Sequence, residues 1–348
     1  MYKRKKTRIQ YQNSRQDVTG LVVNKKPNVK KEYWRIARAQ CNKLFKSGQF
    51  TKTVNDKVVE GNINELEGKL NFIDHIDTYN RLRQAPPLNQ TYEMAKHGHN
   101  KSKLLSGRER TFSRFLYYRL FYGNNKPTIV CEGKTDNTYL KSAINRLAGE
   151  YPKLADSGPG EKGNKYKLLV HFLKYTKRTR FLLELYGGTS YLNYFISKFD
   201  KQYKYYGAPK PDHPVIILLD NDSGFDCIDK TLRKMEKVTA VPLQRKKQNF
   251  RNAEFIHVIH NLYIVLTPID ILQQESMIED LFDDEIKKIE IAGKKFNPEK
   301  NFDKNTEYSK EVFAKKVVLT KKSDIDFNGF KPFLDRIVKA IDHYDAMK

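Results

Sequence analysis

Five consecutive apolar residues, Val215 to Leu219 (VIILL), run straight into Asp220-Asn221-Asp222-Ser223-Gly224. A run without alternation has no face to give to water. It reads as a central parallel strand covered on both sides. Parallel neighbours need crossover connections, usually helices, so this region is committed to an α/β arrangement. Thr128 to Cys131 (TIVC) reads as a second buried strand, with a helix over residues 137–147 behind it. Residues 168–172 read as a further strand and residues 256–266 as one or two more. Ser276 to Phe282 starts a helix, and Phe333 to Tyr344 forms a last one.

The N-terminal part reads differently. Val18 to Val23 (VTGLVV) is a short strand and Asn24 to Asn28 (NKKPN) a turn. From Val29 an amphipathic helix follows, with Tyr33, Ile36, Ala37, Gln40, Cys41 and Leu44 at helical spacing and Gly48 as its end. A second helix spans Ile63 to Ile76, with Leu66, Leu70, Ile73 and Asp77 on one side, although Gly68 weakens it. Residues 81–107 hold Pro86, Pro87, Gly98 and Gly107 with His97 and His99, and read as a linker. A connecting helix over residues 108–122 leads onward. The expected division is 1–80, 81–123 and 124–348, with a mobile loop at 155–165.

Charge limits the partners. Lys and Arg number 65 against 41 Asp and Glu, a net +24. That points to a polyanion: nucleic acid first, an acidic membrane surface second. Cys41, Cys131 and Cys227 are far apart, which excludes a disulfide framework and zinc-knuckle spacing and fits a reducing compartment. No apolar run has the length of a membrane span, and the basic start Met1 to Lys6 has no apolar stretch behind it. With 21 Tyr and 20 Phe the chain has the means to fold despite its charge.

The chemistry lies in the acids. The strand at 128–131 ends in Glu132-Gly133-Lys134-Thr135-Asp136, just as the one at 215–219 ends in Asp220 and Asp222. Active sites of open α/β sheets form at that C-terminal edge. If the two strands are neighbours, Glu132, Asp220 and Asp222 converge. Their mutual repulsion then raises their pKa values or draws in a cation. Oxygen-only donors suit Mg²⁺ or Mn²⁺. With so basic a chain, that suggests phosphoryl transfer on nucleic acid. Gly133 and Gly224 let backbone approach a phosphate, and Lys134 could contact one. Taken singly the motifs have plainer readings: Asp-x-Asp is common in loops, and Glu132 or Asp136 could cap the following helix.

Jointly, VCEGKTD and ILLDNDSG resemble the TOPRIM domain of topoisomerases, primases and OLD-type nucleases. The resemblance implies a TOPRIM-like Rossmannoid α/β domain in which Glu132, Asp220 and Asp222 bind Mg²⁺. Asp136 is similar to a second acid of OLD-like members. Glu279 and Asp280 of SMIEDLF resemble further acids of that group, and read equally as the solvated face of a short helix. Lys310 and Lys315 of YSKEVFAKK are similar to its basic element. No tyrosine stands out as a topoisomerase nucleophile, so a nuclease is the favoured member.

The first 80 residues resemble the end of the palm and the thumb of retron reverse transcriptases. The resemblance rests on Lys6 to Ile9, Ser14 to Gln16, VTGLVVNKKPNV, the helix EYWRIARAQCNKLF and LEGKLNFIDHID. A mainly helical thumb before a TOPRIM domain implies the retron polymerase fused to its effector. No Tyr-x-Asp-Asp segment occurs, so this chain alone is expected not to polymerise DNA. It is expected to be the C-terminal portion of a longer protein or half of a split enzyme, partnered by the fingers and palm. The implied function is a Mg²⁺-dependent endonuclease of an anti-phage system in the bacterial cytoplasm, bound to the retron non-coding RNA and its DNA product (msDNA).

Expected thumb contacts to nucleic acid are Lys30, Lys31, Trp34, Arg35, Arg38 and Lys43, with Tyr33 in the core. His171, at the end of an expected strand, could approach the acids. His257 and His260, three apart on a strand, face opposite sides and share no metal. The basic runs 174–180 and 245–247 read as guides for substrate or as a solvated face. The alternatives are a binding module without activity and, less favoured, a topoisomerase or primase. The sequence leaves open the choice of DNA, messenger RNA or transfer RNA, and any homo-oligomer; no membrane is implied.

Overall fold

The computed structural model describes residues 11, 14–83, 104–156, 166–243, 249–269, 274–299 and 301–348. The basic start 1–6, the segment 6–9, His97 and His99, most of the 155–165 loop and the run 245–247 lie outside them. The described residues divide into two compact units. The first runs to Tyr118 and includes Phe181–Leu183 and Lys204–Pro209; the second comprises Arg119–Arg180, Glu184–Tyr203 and Lys210–Lys348.

The first unit opens with three two-residue strands, β1 (Asp17–Val18), β2 (Leu21–Val22) and β3 (Asn28–Val29), in one antiparallel sheet. The stretch VTGLVV is therefore not one strand. Thr19 and Gly20 both take positive φ and fold it into a tight hairpin. Helix α1 (Lys31–Ser47) buries Ala37, Gln40, Cys41, Leu44 and Phe45. It stops at Gly48, whose left-handed φ of 78° turns its N–H back to the Leu44 carbonyl.

A hairpin that the sequence reading missed follows, β4 (Thr51–Val54) and β5 (Lys57–Glu60). Helix α2 (Ile63–Leu82) runs six residues past its expected end. Asn62 caps it, accepting from the Asn64 and Glu65 N–H groups, and Leu66, Leu70, Ile73 and Ile76 form its buried stripe. Helix α3 (Gly107–Tyr117) starts at Ser106 in a capping box with Glu109. Glu109 is buried and paired with Arg81. The expected connecting helix thus belongs to the first unit through Tyr118.

The second unit is a mixed α/β arrangement around a mostly parallel sheet of generic Rossmann-like kind. Its strands are β6 (Thr128–Cys131), β7 (Ala155–Asp156), β8 (Lys167–Leu168), β9 (His171–Phe172), β10 (Val215–Leu219), β11 (Thr239–Val241), β12 (Phe255–Ile259), β13 (Leu262–Leu266), β14 (Lys295–Phe296) and β15 (Glu307–Tyr308). Six of them form the main sheet in the order β11-β12-β13-β10-β6-β9. The pairs β9·β6, β6·β10 and β10·β13 are parallel, while β13·β12 and β12·β11 are antiparallel. The expected strand at 168–172 is instead two pieces: β8 pairs with β7, and only β9 joins the sheet.

Strand β10 is buried along its whole length, between β6 and β13. Its alternating residues Ile216 and Leu218 share a core with Ile129, Cys131, Tyr263 and Val265. Helix α4 (Asp136–Arg146) and the last helix, α7 (Lys331–Ala346), contribute to that same core. The opposite face, with Val130, Val215, Ile217 and Ile264, is equally buried. Helices α5 (Thr189–Tyr203) and α6 (Asp226–Leu232) pack on each other and add Leu192, Phe195, Ile196 and Ile228 to the interior. Each fully buried aliphatic side chain contributes up to about 1.5–3 kcal/mol, which is why two-sided burial decides this strand's place.

The chain builds β9 on one side of β6 and then crosses to place β10 on the other. The switch point lies between β6 and β10. In open α/β sheets the crevice at the carboxyl ends of such a pair is where ligands bind.

Candidate active site

Strand register brings the two acidic motifs together. Leu218 pairs with Cys131, and the Glu132 N–H donates to the Leu218 carbonyl at 3.0 Å. Glu132 and Asp220 therefore leave the sheet side by side at the switch point. The Asp220 N–H faces Glu132 Oε2 at 3.4 Å, and the Thr189 hydroxyl donates to Oε1 at 2.9 Å. Neither Glu132 nor Asp136 caps through its side chain at helix α4; Thr135 is the N-cap. Asp136 is the first helical residue, and its carboxylate turns back to accept the Gly133 N–H at 2.6 Å.

Asp220 Oδ1 accepts the Ile278 N–H at 2.9 Å, and Asp222 Oδ1 accepts the Gly224 N–H at 2.9 Å. Both Oδ2 atoms accept no hydrogen bond from the described residues. The expected helix at 276–282 is only a 3₁₀ turn, Ile278–Leu281. That turn separates its two acids. Asp280 is exposed and holds the turn by accepting the Met277 N–H at 2.7 Å. Glu279 points inward and is 1% exposed. Its Oε2 accepts from Lys310 Nζ at 2.9 Å, while its buried Oε1 has no partner.

The acids feel one another. Burial pushes the Asp220 carboxyl up to about 8, with help from Asp136, Glu279 and Glu132. Glu132 is raised by burial and by the charges of Asp222 and Asp136, against the Thr189 bond that lowers it. Asp136 and Glu279 are raised by burial as well. Lys310 is the compensating charge: its amine lowers Asp136 and Glu279, and those acids with Asp220 raise its own pKa in turn, against burial. Lys315 is placed elsewhere, its amine on Glu311 at 2.6 Å at the surface. Lys310 opens a short α-helical turn, whereas Lys315 lies within the π-helical run Phe313–Val318 that follows, where the helical phase changes.

Oxygen-only, mutually repelling carboxylates fit a hard divalent cation in chemistry. The free Oδ2 atoms of Asp220 and Asp222 and the orphaned Glu279 Oε1 are oxygens open to such an ion. As arranged, no three His, Cys, Asp or Glu side chains among the described residues stand close enough to share one metal. Loading therefore requires side chains to re-aim.

Three supports were not legible from sequence. The strap Tyr186-Gly187-Gly188-Thr189 crosses Glu132. The Gly188 N–H donates to the Glu132 carbonyl at 2.9 Å, and Gly187, at φ 88°, approaches so near that a Cβ would meet that carbonyl at 2.7 Å. Tyr175 is half-buried, its hydroxyl donating to the Cys131 carbonyl at 2.5 Å. Arg251 clamps the Asp220–Asp222 loop, donating to Asn221 Oδ1 at 3.1 Å, to the Asp222 carbonyl at 2.9 Å and to Asp226 at 2.8 Å. A paired glycine after a Leu-Tyr step was the only sequence signal for any of these.

Histidines stay outside. His171 pairs with Thr128 at the start of β6, the end away from Glu132. His257 bonds the His260 carbonyl, and His260 pairs with Asp200 and stacks on Tyr203 at 3.8 Å.

In the first unit, Arg35 and Arg38 line one cavity of about 460 Å³ with Asn42, Thr111, Arg114 and Tyr205. Arg38 and Thr111 also line a second cavity, of about 580 Å³, with Lys26, Trp34, Arg81 and Arg108. The Arg108 guanidinium lies 5.8 Å from the Trp34 ring, so that indole already has a cation beside it. Lys30 pairs with Asp17 at 3.5 Å, Lys43 donates to Thr51 at 3.2 Å, and Lys31 is exposed. Tyr33, expected in the core, is only half-buried and packs edge-on to the exposed Phe72 ring. Arg81, Arg108 and Arg114 were missed, because they lie on α2 and α3 and only packing brings them to α1. No helix among the described residues is long and apolar enough to cross a membrane. No family model matches the chain, and no solved structure matches it.

Proposed function

We propose that the second unit is a TOPRIM-like, Mg²⁺- or Mn²⁺-dependent nuclease and that the first unit binds nucleic acid. The observation that carries this reading is the juxtaposition of Glu132 and Asp220 at the sheet's switch point, with Asp136, Asp222 and Glu279 coupled to them. Asp220, Asp222 and Glu132 would hold the ion. Bound there, it would polarise a phosphodiester and neutralise its developing charge. Glu132, fixed by Thr189 and the Asp220 N–H, is positioned to take a proton from an attacking water. Lys310 holds Glu279 and keeps one positive charge among the acids. Lys134, two residues past Glu132, faces outward for the substrate. The retron assignment, the msDNA and non-coding RNA as partners, the missing fingers and palm, and a bacterial cytoplasmic location belong to the same proposal. They rest on the motif resemblances.

A binding module without turnover is the second reading. It is favoured by the arginine-lined cavities of the first unit and by the fact that, among the described residues, no three carboxylates stand close enough for one metal. A cleavage assay at low salt separates the two. Wild type and Asp220→Ala are incubated with duplex DNA, single-stranded DNA, total RNA and transfer RNA, with and without Mg²⁺ or Mn²⁺. Metal-dependent cutting that the variant lacks supports the nuclease. Salt-sensitive binding with no cutting, also after the retron DNA has been degraded in the full complex, supports the binding module.

A further inference from the structure

We propose that Lys134, Arg180 and Tyr186 form a phosphate-binding notch beside Glu132, which takes a phosphate group of a nucleic-acid strand. Its biological meaning as substrate binding rests on the nuclease reading; its existence as an anion site does not.

Two cations converge on one ring. The Lys134 amine lies 4.1 Å from the centre of the Tyr186 ring and the Arg180 guanidinium 4.5 Å from it. Neither forms an ion pair with a carboxylate among the described residues. Lys177 adds a third positive field at the same tyrosine, and Glu311, the acid that feels Lys134, is itself engaged by Lys315. The π-face offsets only part of the repulsion between two such cations. An anion bound by both offsets the rest, and a phosphate, with several oxygens, is a group that lysine and arginine readily bind together.

Position supplies the second argument. Lys134 stands in the turn that follows Glu132. Tyr186 precedes Gly187 and Gly188, the strap hydrogen-bonded to the Glu132 carbonyl. One short piece of backbone therefore sets the notch and the glutamate at a fixed separation. A cluster of acids repels a polyanionic strand, so a strand brought to Glu132 needs cations immediately beside it.

The test is lysine acylation footprinting on the full chain in EDTA, where nothing is cleaved. Binding is brought to saturation by anisotropy, and the reactivity of each lysine is read by mass spectrometry. Three probes are used: a short single strand with a 5′-phosphate, the same strand with a 5′-hydroxyl, and a blunt duplex. Lys134 is expected to be protected several-fold, while Lys153 and Lys339, which pair with surface acids, keep their reactivity. In Arg180→Gln, half-protection of Lys134 should need about fivefold more oligonucleotide, the loss of one exposed charged contact. Protection by the 5′-phosphorylated strand alone assigns the notch to a strand end. Protection by all three assigns it to an internal phosphate. Unchanged Lys134 reactivity with every probe, whatever happens at Lys26 in the first unit, overturns the notch, as does the absence of binding. Protection without any metal-dependent cutting in the separate cleavage assay would leave the notch standing and remove the nuclease.

Discussion

Replacing Asp220 by Asn should stabilise the metal-free protein by an amount that grows from about pH 4 to about pH 8. The carboxyl is pushed from 3.8 up to about 8 by burial and by Asp136, Glu279 and Glu132, with the Ile278 N–H acting against them. The unfolded chain releases this proton near pH 4, whereas the folded chain holds it until about pH 8. Between those values the folded state binds the extra proton, so stability falls as pH rises. The group contributes no penalty below about pH 4 and its full penalty above pH 8. About four units correspond to a ceiling of roughly 5–6 kcal/mol. Neighbouring acids take up protons with Asp220, and Lys310 offsets part of their charge. About 2–3 kcal/mol remains for one replacement. Asn keeps the oxygen that accepts the Ile278 N–H, so packing is preserved. In a unit of this size the gain is about 5–10 °C in Tm. Urea titrations in EDTA at pH 5 and pH 8 read it directly. A variant no more stable than wild type at pH 8, or equally stabilised at both values, would refute the reasoning.

Other outcomes follow from the same geometry. Thr189→Val removes the hydroxyl on Glu132 Oε1; the proposed cleavage should drop about tenfold, and denaturant titration should show a loss of about 1.5–3 kcal/mol, as one lost bond to a charged group implies. Gly187→Ala forces a Cβ against the Glu132 carbonyl at a positive φ; denaturant titration should show a loss of about 2–3 kcal/mol. Arg35→Gln with Arg38→Gln should flatten the salt dependence of duplex binding by about 1.8 in log–log slope, while turnover of bound substrate stays unchanged. Lys310→Met leaves Glu279 buried without its cation; stability at pH 8 should fall by about 3 kcal/mol and recover toward pH 5 as the acid protonates.

Legibility tracked how local the information was. The strands at 128–131 and 215–219 were readable because two-sided burial writes itself as an unbroken apolar run. The Gly48 stop was readable because left-handed backbone selects glycine. The acids announced themselves by following those strands. Nothing local said that Thr189 would hold Glu132 or that Arg251 would clamp Asn221, since both contacts cross long stretches of chain. The inward turn of Glu279 and the outward turn of Asp280 were undecidable from spacing that fits helix and 3₁₀ turn alike. Thr19 misled the reading of VTGLVV, because a β-branched residue at positive φ is a rare choice for a hairpin turn.

The site is stitched from distant chain segments. Glu132 meets the Asp220 N–H across 88 residues, Asp220 meets Ile278 across 58, and Lys310 meets Glu279 across 31. A ribosome adding about 5–20 residues per second releases these pieces many seconds apart. Until the segment carrying Lys310 has left the exit tunnel, the acids cannot be compensated and the site cannot close. For the nuclease proposed above, that order of assembly would hold back cleavage until the segment carrying Lys310 has been made.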